Sequence, residues 1–206
     1  MGQPQQGVDR GIGILGGTFD PPHIGHLILA EWAREQLQLE QILFLPAGQP
    51  PHKREEPVSS AAHRLAMTRL AVQDHGAFNS SRIDVERPPP HYTSSLRPLL
   101  EARFPDRELW LLIGGDSLRD LPSWHEPQKI VEEWCMAVLP RPAAEYDWGE
   151  LEEAVPGVRG SCKILDGPSV AVSSTQIRRW RASHHSLRYV VPQAVLEYIE
   201  RHNLYR

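Results

Sequence analysis

Short apolar runs along the chain alternate with longer segments in which apolar residues recur every three or four positions. Runs of the first kind predict buried strands, and segments of the second kind predict helices with one apolar face. Six strands are predicted, at Gly11–Leu15, Gln41–Ala47, Ser81–Arg87, Glu108–Gly115, Trp134–Arg141 and Cys162–Asp166. The predicted helices are Ile24–Leu39, Ser59 or Ser60 to about Gln73, Thr93–Arg103, Ser173 to about Arg181, and a last one that begins near Pro192.

This alternation predicts an α/β fold. We expect a Rossmann-like, doubly wound parallel sheet of five to six strands in a single domain over residues 11–206. Polar, glycine-bearing segments follow the first, second, fourth and sixth strands, and such sheets bind ligands at the carboxyl ends of strands, near a reversal in strand order. A ligand site is therefore expected there. Residues 1–10 are expected to be a flexible tail, and residues 142–160 the least regular part.

Composition narrows the class of protein. The chain has 206 residues, is 40% hydrophobic and carries a net charge of −4, which predicts a buried core without a generally basic surface. Nucleic acid is therefore not an expected partner. The sequence shows neither a signal peptide nor an apolar stretch long enough for a membrane span, so a cytoplasmic protein with no membrane partner is expected. Cys135 and Cys162 form no C-x-x-C pair. A disulfide between them stays open, although a reducing cytosol favours free thiols.

One glycine pattern does not carry the function that its spacing suggests. Gly11, Gly13 and Gly16 fit G-x-G-x-x-G, the pattern of a dinucleotide-binding turn. In that turn the glycines follow a strand and open a helix, whereas the first two lie inside the first apolar run here. The acidic residue expected at a later strand end is also missing, because Glu31 and Glu35 fall in a predicted helix. A nicotinamide-cofactor fingerprint is therefore rejected.

The segment GGTFDPPHIGH, residues 16–26, joins the first strand to the first helix. Gly16 and Gly17 let backbone N–H groups approach an anion without a Cβ in the way, and Thr18 adds a hydroxyl donor. The helix begins near His23, and the unpaired N–H groups of a helix start favour phosphate. His23 and His26 share one face of its first turn. Imidazole and amide donors together suit the phosphorus of a nucleotidyl group during transfer.

Two other interpretations of this segment compete with a phosphate site. A single His at a helix start is most often only a surface residue. Two His on one turn can also bind zinc, but no third Cys, His or Asp stands at metal-ligand spacing nearby, and Asp20 precedes the helix. The Gly-Gly pair alone is a weak signal. The whole string after a first strand is a strong one, and it favours phosphate.

A second candidate anion site follows the last predicted strand, in the segment SSTQIR. Ser173 with Gln176 three residues later is typical of a capping box, which alone explains a helix start. Ser174 and Thr175 add hydroxyl groups, and Arg178 lies one turn into the helix. We therefore expect a second helix N-terminus that receives an anion at the same edge of the sheet.

These segments resemble known motifs. GGTFDPPHIGH resembles the H-x-G-H signature of the nucleotidyltransferase superfamily and is most similar to the family of nicotinate-nucleotide adenylyltransferases, while SSTQIR matches the superfamily's S-S-T-x-I-R motif. HIGH also resembles class I aminoacyl-tRNA synthetases, but a Lys-rich KMSKS loop is missing from the sequence and 206 residues leave no room for a tRNA-binding domain. Pantetheine-phosphate adenylyltransferases usually have Thr where His23 stands. The resemblance covers roughly Ile12 to Tyr205.

The resemblance implies an ATP site at the two helix starts. It assigns His23, His26 and Thr18 to catalysis at the α-phosphorus, and the SSTQIR segment to the phosphates. Asp116, in a segment after the fourth strand that resembles the family's G-x-D-S-L…W motif, is expected either to accept hydrogen bonds from ribose or merely to cap a helix. The implied ATP-binding residues are Gly16, Gly17, Thr18, Phe19, His23, His26, Asp116, Ser173, Ser174, Thr175, Ile177 and Arg178.

Three segments imply a site for nicotinate mononucleotide. PAGQPPHK would place Lys53 beside phosphate, although a solvated loop charge is the commoner case. HYTSSL resembles the family's S-Y-T-x-x-T-L but departs from it at His91 and Ser95, so only Thr93 is carried over, and Thr93 can also be a plain helix cap. Trp124 offers a flat face for a pyridine ring. The implied mononucleotide-binding residues are Lys53, Thr93, Trp124 and His125, the last through its backbone.

The reaction implied is adenylyl transfer from ATP to nicotinate mononucleotide, giving nicotinate adenine dinucleotide and pyrophosphate in NAD biosynthesis. The nucleophile is a phosphate oxygen that is already anionic at neutral pH, so positioning and charge stabilisation suffice without a general base. Mg²⁺ is the expected cofactor, held mainly by ATP phosphates and water rather than by protein ligands. The oligomeric state, a homo-oligomer included, stays open. The alternatives are nicotinamide mononucleotide or another phosphate acceptor, a cytidylyltransferase, and a non-catalytic nucleotide-binding module.

Overall fold

A computed structural model of the protein describes residues 11–49, 58–140, 146–168 and 170–206. Six strands lie in this part of the chain: β1 (Ile12–Gly17), β2 (Gln41–Pro46), β3 (Phe78–Ser80), β4 (Leu109–Gly114), β5 (Cys135–Leu139) and β6 (Cys162–Ile164). All their pairings are parallel, and they form one sheet in the order β3-β2-β1-β4-β5-β6. The predicted α/β fold, a doubly wound parallel sheet, is confirmed.

Helices connect and flank the strands. They are α1 (Ile24–Leu37), α2 (Ala61–Val72), α3 (Ile83–Glu86), α4 (Arg97–Arg103), α5 (Gly115–Asp120), α6 (Pro127–Glu133), α7 (Trp148–Ala154), α8 (Val158–Ser161), α9 (Ser174–Ala182) and α10 (Gln193–Arg201). Two short 3₁₀ turns lie at Thr93–Ser95 and Leu121–Ser123. In the described ranges, none of the helices combines the length and apolar character that a membrane crossing requires.

The central strands are apolar on both faces because helices cover the sheet on each side. In β1, Ile12 and Ile14 pack into one core cluster and Leu15 into the cluster on the opposite face. Gly13 fills the position between the two isoleucines, where a Cβ would come within 2.5 Å of Ile42 Cδ1. Gly13 and Gly16 of the G-x-G-x-x-G string lie in β1, and Gly11 directly precedes it, so the string does not form a dinucleotide turn. Gly13 allows close packing, whereas a Cβ on Gly16 would meet nothing within 4 Å.

The strand order reverses beside β1. This strand pairs with β2 on one side and with β4 on the other, so the chain runs outward in both directions from the centre of the sheet. A crevice forms at the carboxyl ends of strands at such a reversal. Gly16 and Gly17 end β1 there, and Gly114 ends β4 beside them.

The predicted third strand, Ser81–Arg87, is wrong. The strand is the preceding Phe78–Ser80, and residues 83–86 form α3. Alternating apolar and polar residues suggested a strand, but the charged side chains pair at helical spacing instead. Arg87 Nε lies 2.5 Å from Asp84 Oδ1, and Arg82 Nε lies 2.6 Å from Glu86 Oε1. The other five predicted strands agree with the structure to within two residues at each end.

Residues 142–160 are more regular than expected. The Pro-rich beginning of this stretch lies outside the described residues, but α7 and α8 occupy most of the remainder. Asp147 caps α7 by accepting hydrogen bonds from two backbone N–H groups, and Leu151 and Val158 are buried in the core. These helices are short and carry charged residues on their exposed side, so the helical spacing of their few apolar residues could not be recognised in the sequence.

A third apolar cluster fastens the C-terminal part of the chain to α2. It includes Met67 from α2, Ile177 from α9 and Val195 and Ile199 from α10, all at most 3% exposed. The cluster holds α9 with its N-terminus at the carboxyl edge of the sheet.

Cys135 and Cys162 are free thiols on neighbouring strands. The predicted tail at residues 1–10 lies outside the described residues.

Candidate active site

A cavity of about 580 Å³ opens at the carboxyl ends of β1 and β4. It therefore lies at the reversal in strand order, where the sequence predicts a ligand. Thirteen of the residues predicted to contact a substrate line it, and they come from four separate segments: Gly16, Gly17, Thr18, Phe19, His23, His26, Thr93, Asp116, Trp124, His125, Ser173, Ser174 and Thr175.

The two histidines lie face to face at the start of α1. Their ring centroids are 3.8 Å apart with 27° between the planes. His23 is the N-cap residue and is 2% exposed, while His26 Nδ1 accepts a hydrogen bond from the His23 backbone N–H at 3.1 Å. An accepting Nδ1 carries no proton, so a neutral His26 ring bears its proton on Nε2. Nε2 of His26 is thus set as a donor.

Neighbouring residues fix the orientation of these rings. Phe19 is 1% exposed and meets His26 edge-on, with 4.9 Å between the ring centroids. A Cβ on Gly25 would approach two atoms of the His23 ring to 3.1 Å. The glycine of the His-x-Gly-His string therefore lets the first imidazole lie close against the helix. The space beside this glycine is filled by that ring.

A second helix N-terminus meets the first at the cavity. Ser173 caps α9 by accepting a hydrogen bond from the Gln176 N–H at 3.2 Å, as the capping-box spacing predicts. The Ser174 hydroxyl donates to the Pro21 carbonyl at 2.8 Å, so α9 is tied to the turn that precedes α1. The N-termini of α1 and α9 both contribute residues to the cavity wall, and each carries partial positive charge. Their convergence suits a polyanionic ligand.

Aromatic side chains from the segments around residues 92 and 124 form another part of the cavity wall. Trp124 follows the 3₁₀ turn at residues 121–123 and is half-buried against the core. His125 stacks on Tyr92 with 4.0 Å between centroids and 4° between planes, and its Nδ1 lies 3.2 Å from Ser94 Oγ. The stack joins the loop after β4 to the turn that carries Thr93. Flat, half-exposed rings here suit a planar heterocycle.

The two helix-cap alternatives are wrong. Tyr92 occupies the N-cap position of the 3₁₀ turn, and Thr93 is the first residue inside that turn. Gly114 is the N-cap of α5, and Asp116 lies in its first turn. Both predicted side chains line the cavity.

A buried ion pair that the sequence patterns did not predict supports the turn that carries Thr93. Arg87 and Asp84 are nearly inaccessible, with 9% and 7% of their side chains exposed. Arg87 also donates to the Tyr92 carbonyl at 2.9 Å and to Ser95 Oγ at 2.7 Å. His91 packs over Gly48, so the ion pair and this ring together brace the loop after β2 against the 3₁₀ turn.

Three of the predicted substrate-binding residues are not among the described residues that line the cavity. Lys53 lies outside the described residues. Among the residues that the structure describes, the cavity lining leaves out Ile177, which is 3% exposed in the third apolar cluster, and Arg178. The Arg178 guanidinium donates to the Asp20 carbonyl at 3.0 Å and to Thr175 Oγ1 at 3.3 Å. Arg178, the last residue of the SSTQIR segment, therefore links α9 to the turn before α1.

The turn formed by residues 18–21, called the 18–21 turn below, also has partners that the sequence did not reveal. Arg64 from α2 donates to the Thr18 carbonyl, and the Tyr205 hydroxyl donates to the Asp20 carboxylate. Burial lowers the pKa of Arg64, whereas the charge of Asp20 acts against that shift.

In the described parts of the chain, no group of three or more His, Cys, Asp or Glu side chains is arranged to hold a metal ion.

The fold and the site define a protein of the nucleotidyl-transfer class. The family model described as cytidylyltransferase-like matches residues 14–180. The chain is 48% identical over 195 residues to the probable nicotinate-nucleotide adenylyltransferase of Thermomicrobium roseum, an alignment that covers 95% of this chain and 91% of that one. It is 43% identical over 207 residues to the probable nicotinate-nucleotide adenylyltransferase of Synechococcus sp. strain JA-3-3Ab, covering 98% and 96%. The chain belongs to the nicotinate-nucleotide adenylyltransferase family, and the resemblance inferred from its motifs is confirmed.

A solved structure agrees with the fold. The nicotinic acid mononucleotide adenylyltransferase of Plasmodium falciparum, complexed with NaAD, is similar with a TM-score of 0.77 over 95% of this chain and 97% of that chain. The two sequences are 17% identical, so this likeness concerns the fold alone.

Proposed function

We propose that the protein transfers the adenylyl group of ATP to nicotinate mononucleotide, forming nicotinate adenine dinucleotide and pyrophosphate in NAD biosynthesis. The observation that carries the proposal is the convergence of two helix N-termini on one cavity, with His23 and His26 on the first and Ser173–Thr175 on the second. Such a place favours a triphosphate. The family's name supplies the acceptor, and the aromatic part of the cavity suits its pyridine ring.

The chemistry needs orientation rather than a base. A phosphate oxygen of the mononucleotide attacks the α-phosphorus, a new P–O bond forms, and the bond to the bridging β-phosphate oxygen breaks. The electron pair of that bond leaves with pyrophosphate. Charge grows on the oxygens around the α-phosphorus, where the Nε2 donor of His26, the His23 ring and Thr18 would stabilise it. Asp116, Ser174 and Thr175 would contact the rest of ATP.

The cations that accompany the phosphates are part of the proposal. Mg²⁺ bound to the β- and γ-phosphate oxygens would neutralise charge on the leaving group, with water completing its coordination. Arg178 and Lys53 would add positive charge near the pyrophosphate. A cytoplasmic location and the exclusion of nucleic acid remain predictions from the sequence, and the oligomeric state remains open.

Selection of the acid over the amide is the finer part of the proposal. A nicotinate carboxylate is an acceptor only, so it suits backbone N–H donors near Trp124 and Thr93, whereas a carboxamide also presents two donors. A site built from N–H donors would leave the donors of the amide unpaired, which disfavours it.

Pyrophosphate release from ATP and Mg²⁺ tests the proposal directly. Nicotinate mononucleotide, nicotinamide mononucleotide and 4′-phosphopantetheine are compared at equal concentration, with a reaction lacking acceptor and a reaction with CTP in place of ATP as controls. We expect the highest kcat/KM with nicotinate mononucleotide and ATP. Preference for the amide would overturn the acceptor assignment, preference for CTP would overturn the ATP site, and no release with any acceptor would overturn the enzymatic function.

A further inference from the structure

The 18–21 turn has an unusual backbone and is held from several directions. Phe19 has φ of 49°, in the left-handed region that bulky residues rarely adopt. Such a conformation persists where the surrounding structure over-determines it. Its neighbours Asp20 and Pro21 each have their carbonyl bound by a side chain of α9, at 3.0 and 2.8 Å. The turn therefore depends on contacts from outside its own segment.

Arg64 joins this turn to the loop after β2. It is 1% exposed, and its guanidinium donates to three backbone carbonyls: Thr18 at 3.0 Å, Gly48 at 2.8 Å and Ser59 at 3.0 Å. Thr18 follows β1 and Gly48 follows β2, so one side chain sets the separation of two loops at the edge of the cavity. The rigid, planar fork of an arginine is suited to holding three acceptors in fixed directions.

Asp20 balances the charge of Arg64 and links it to the end of the chain. It is fully buried, and both of its carboxylate oxygens accept hydrogen bonds. Oδ2 accepts from the Ser59 N–H at 3.1 Å, and Oδ1 accepts from the Tyr205 hydroxyl at 2.6 Å. Burial and the nearby carboxylate both raise the pKa of Tyr205, so its hydroxyl stays protonated and remains a donor at neutral pH.

We propose that Arg64, Asp20 and Tyr205 form a positioning unit that holds the 18–21 turn in the geometry required for transfer. Within the described residues the cavity lining includes none of the three, so they act through Thr18, Phe19 and the start of α1. The kinetic part of this inference rests on the proposed function. Displacement of reacting groups by about 1 Å can lower a rate about a hundredfold. Loosening the unit should therefore lower kcat while KM for the acceptor changes little.

Tyr205→Phe tests the unit with a small perturbation, because the ring remains and only the hydroxyl is lost. Tyr198→Phe is the matched control, since the Tyr198 hydroxyl is hydrogen-bonded to His63 Nδ1 at 2.9 Å and joins α10 to α2 without contacting the turn. We expect kcat to fall about tenfold in Tyr205→Phe and to stay within twofold of wild type in Tyr198→Phe. Both melting temperatures should fall by similar amounts.

Amide hydrogen exchange of the unliganded protein gives a readout that does not depend on activity. Exchange in a peptide spanning residues 16–26 should become severalfold faster in Tyr205→Phe and stay unchanged in Tyr198→Phe. Asp20→Asn combined with Tyr205→Phe should lower kcat by less than the product of the two single effects, because the residues act as one unit.

Three outcomes would overturn the positioning unit: unchanged exchange at residues 16–26 in Tyr205→Phe, a kcat for that variant within twofold of wild type, or an equal loss of kcat in Tyr198→Phe. A wild-type protein that is inactive with every acceptor would refute the proposed function instead. The exchange comparison would then still decide whether Tyr205 holds the turn.

Discussion

Replacing His26 by Ala removes an imidazole ring that makes both a hydrogen bond and aromatic contacts. Its Nδ1 accepts a hydrogen bond from the His23 N–H, and losing such a partner at a helix start costs about 1 kcal/mol. The ring also stacks on His23 and meets Phe19 edge-on, and an aromatic pair contributes about 0.5–1.5 kcal/mol. We therefore expect the free energy of unfolding to fall by about 2 kcal/mol. For a chain of this length, that loss lowers the melting temperature by about 4–8 °C.

The loss of activity should be larger than the loss of stability suggests. Removing one preorganised donor at a site of developing charge raises the activation barrier by about 3 kcal/mol, which is a loss of kcat of about a hundredfold or more. Pyrophosphate release with ATP and nicotinate mononucleotide, measured well below the melting temperature of the variant, isolates this effect. Circular dichroism at the assay temperature verifies that the variant is folded.

His75→Ala is the matched control. Nδ1 of His75 accepts a hydrogen bond from the Ala77 N–H at 3.2 Å, and the ring stacks on Phe78 with 3.8 Å between centroids. The same kinds of contact are thus lost outside the cavity, and we expect a similar fall in stability with kcat within twofold of wild type. A His26→Ala enzyme that keeps its kcat would refute the donor role. An equal loss of kcat in His75→Ala would assign the effect to stability alone.

Two further predictions concern packing and thiol chemistry. A Cβ on Gly48 would lie 2.3 Å from His91 Cε1, so Gly48→Ala should lower the free energy of unfolding by about 1–3 kcal/mol in urea denaturation. Gly76→Ala, where a Cβ meets nothing within 4 Å, should change it by less than about 0.5 kcal/mol, and equal effects would contradict the packing argument. Burial raises the pKa of the Cys162 thiol to about 11, so iodoacetamide at about pH 8 should alkylate the exposed Cys135 first, and Cys162 should react faster as the pH rises toward that value. Equal labelling at the lower pH, detected by mass spectrometry, would refute this.

The first strand, the motif after it and the first helix could be predicted because their signals are local. A buried run, a glycine pair and two histidines on one helical turn specify a strand, a backbone approach and a shared face without reference to the rest of the chain. The same holds for Ser173, whose capping contact with Gln176 spans three residues. The carboxyl edges of parallel strands then bring these segments together.

The third strand was predicted wrongly because two periodicities compete there. Ile83 and Val85 alternate with charged residues, which suggests a strand, yet the ion pair of Asp84 with Arg87 forms only at helical spacing. Burial of that pair beneath the 3₁₀ turn depends on tertiary contacts with Tyr92 and Gly48. Hydrophobic alternation alone does not contain this information.

Sequence patterns could not predict the positioning unit because the residues that contact one another in it are far apart along the chain. Arg64 lies 46 positions from Thr18, and Tyr205 lies 185 positions from Asp20. An arginine in a helix is usually solvated, and a tyrosine near a chain end is usually exposed. Only the folded chain shows that both side chains converge on the turn before α1.

The central claim is that two helix N-termini hold ATP for attack at its α-phosphorus by a mononucleotide phosphate. Parallel reactions with ATP labelled at the α- or the γ-phosphate, in the presence of nicotinate mononucleotide and Mg²⁺, test it most directly. The account predicts that the α-label appears in the dinucleotide and the γ-label in pyrophosphate, in equal amounts. Transfer of the γ-label to the mononucleotide, or release of the α-label as AMP without dinucleotide, would contradict it.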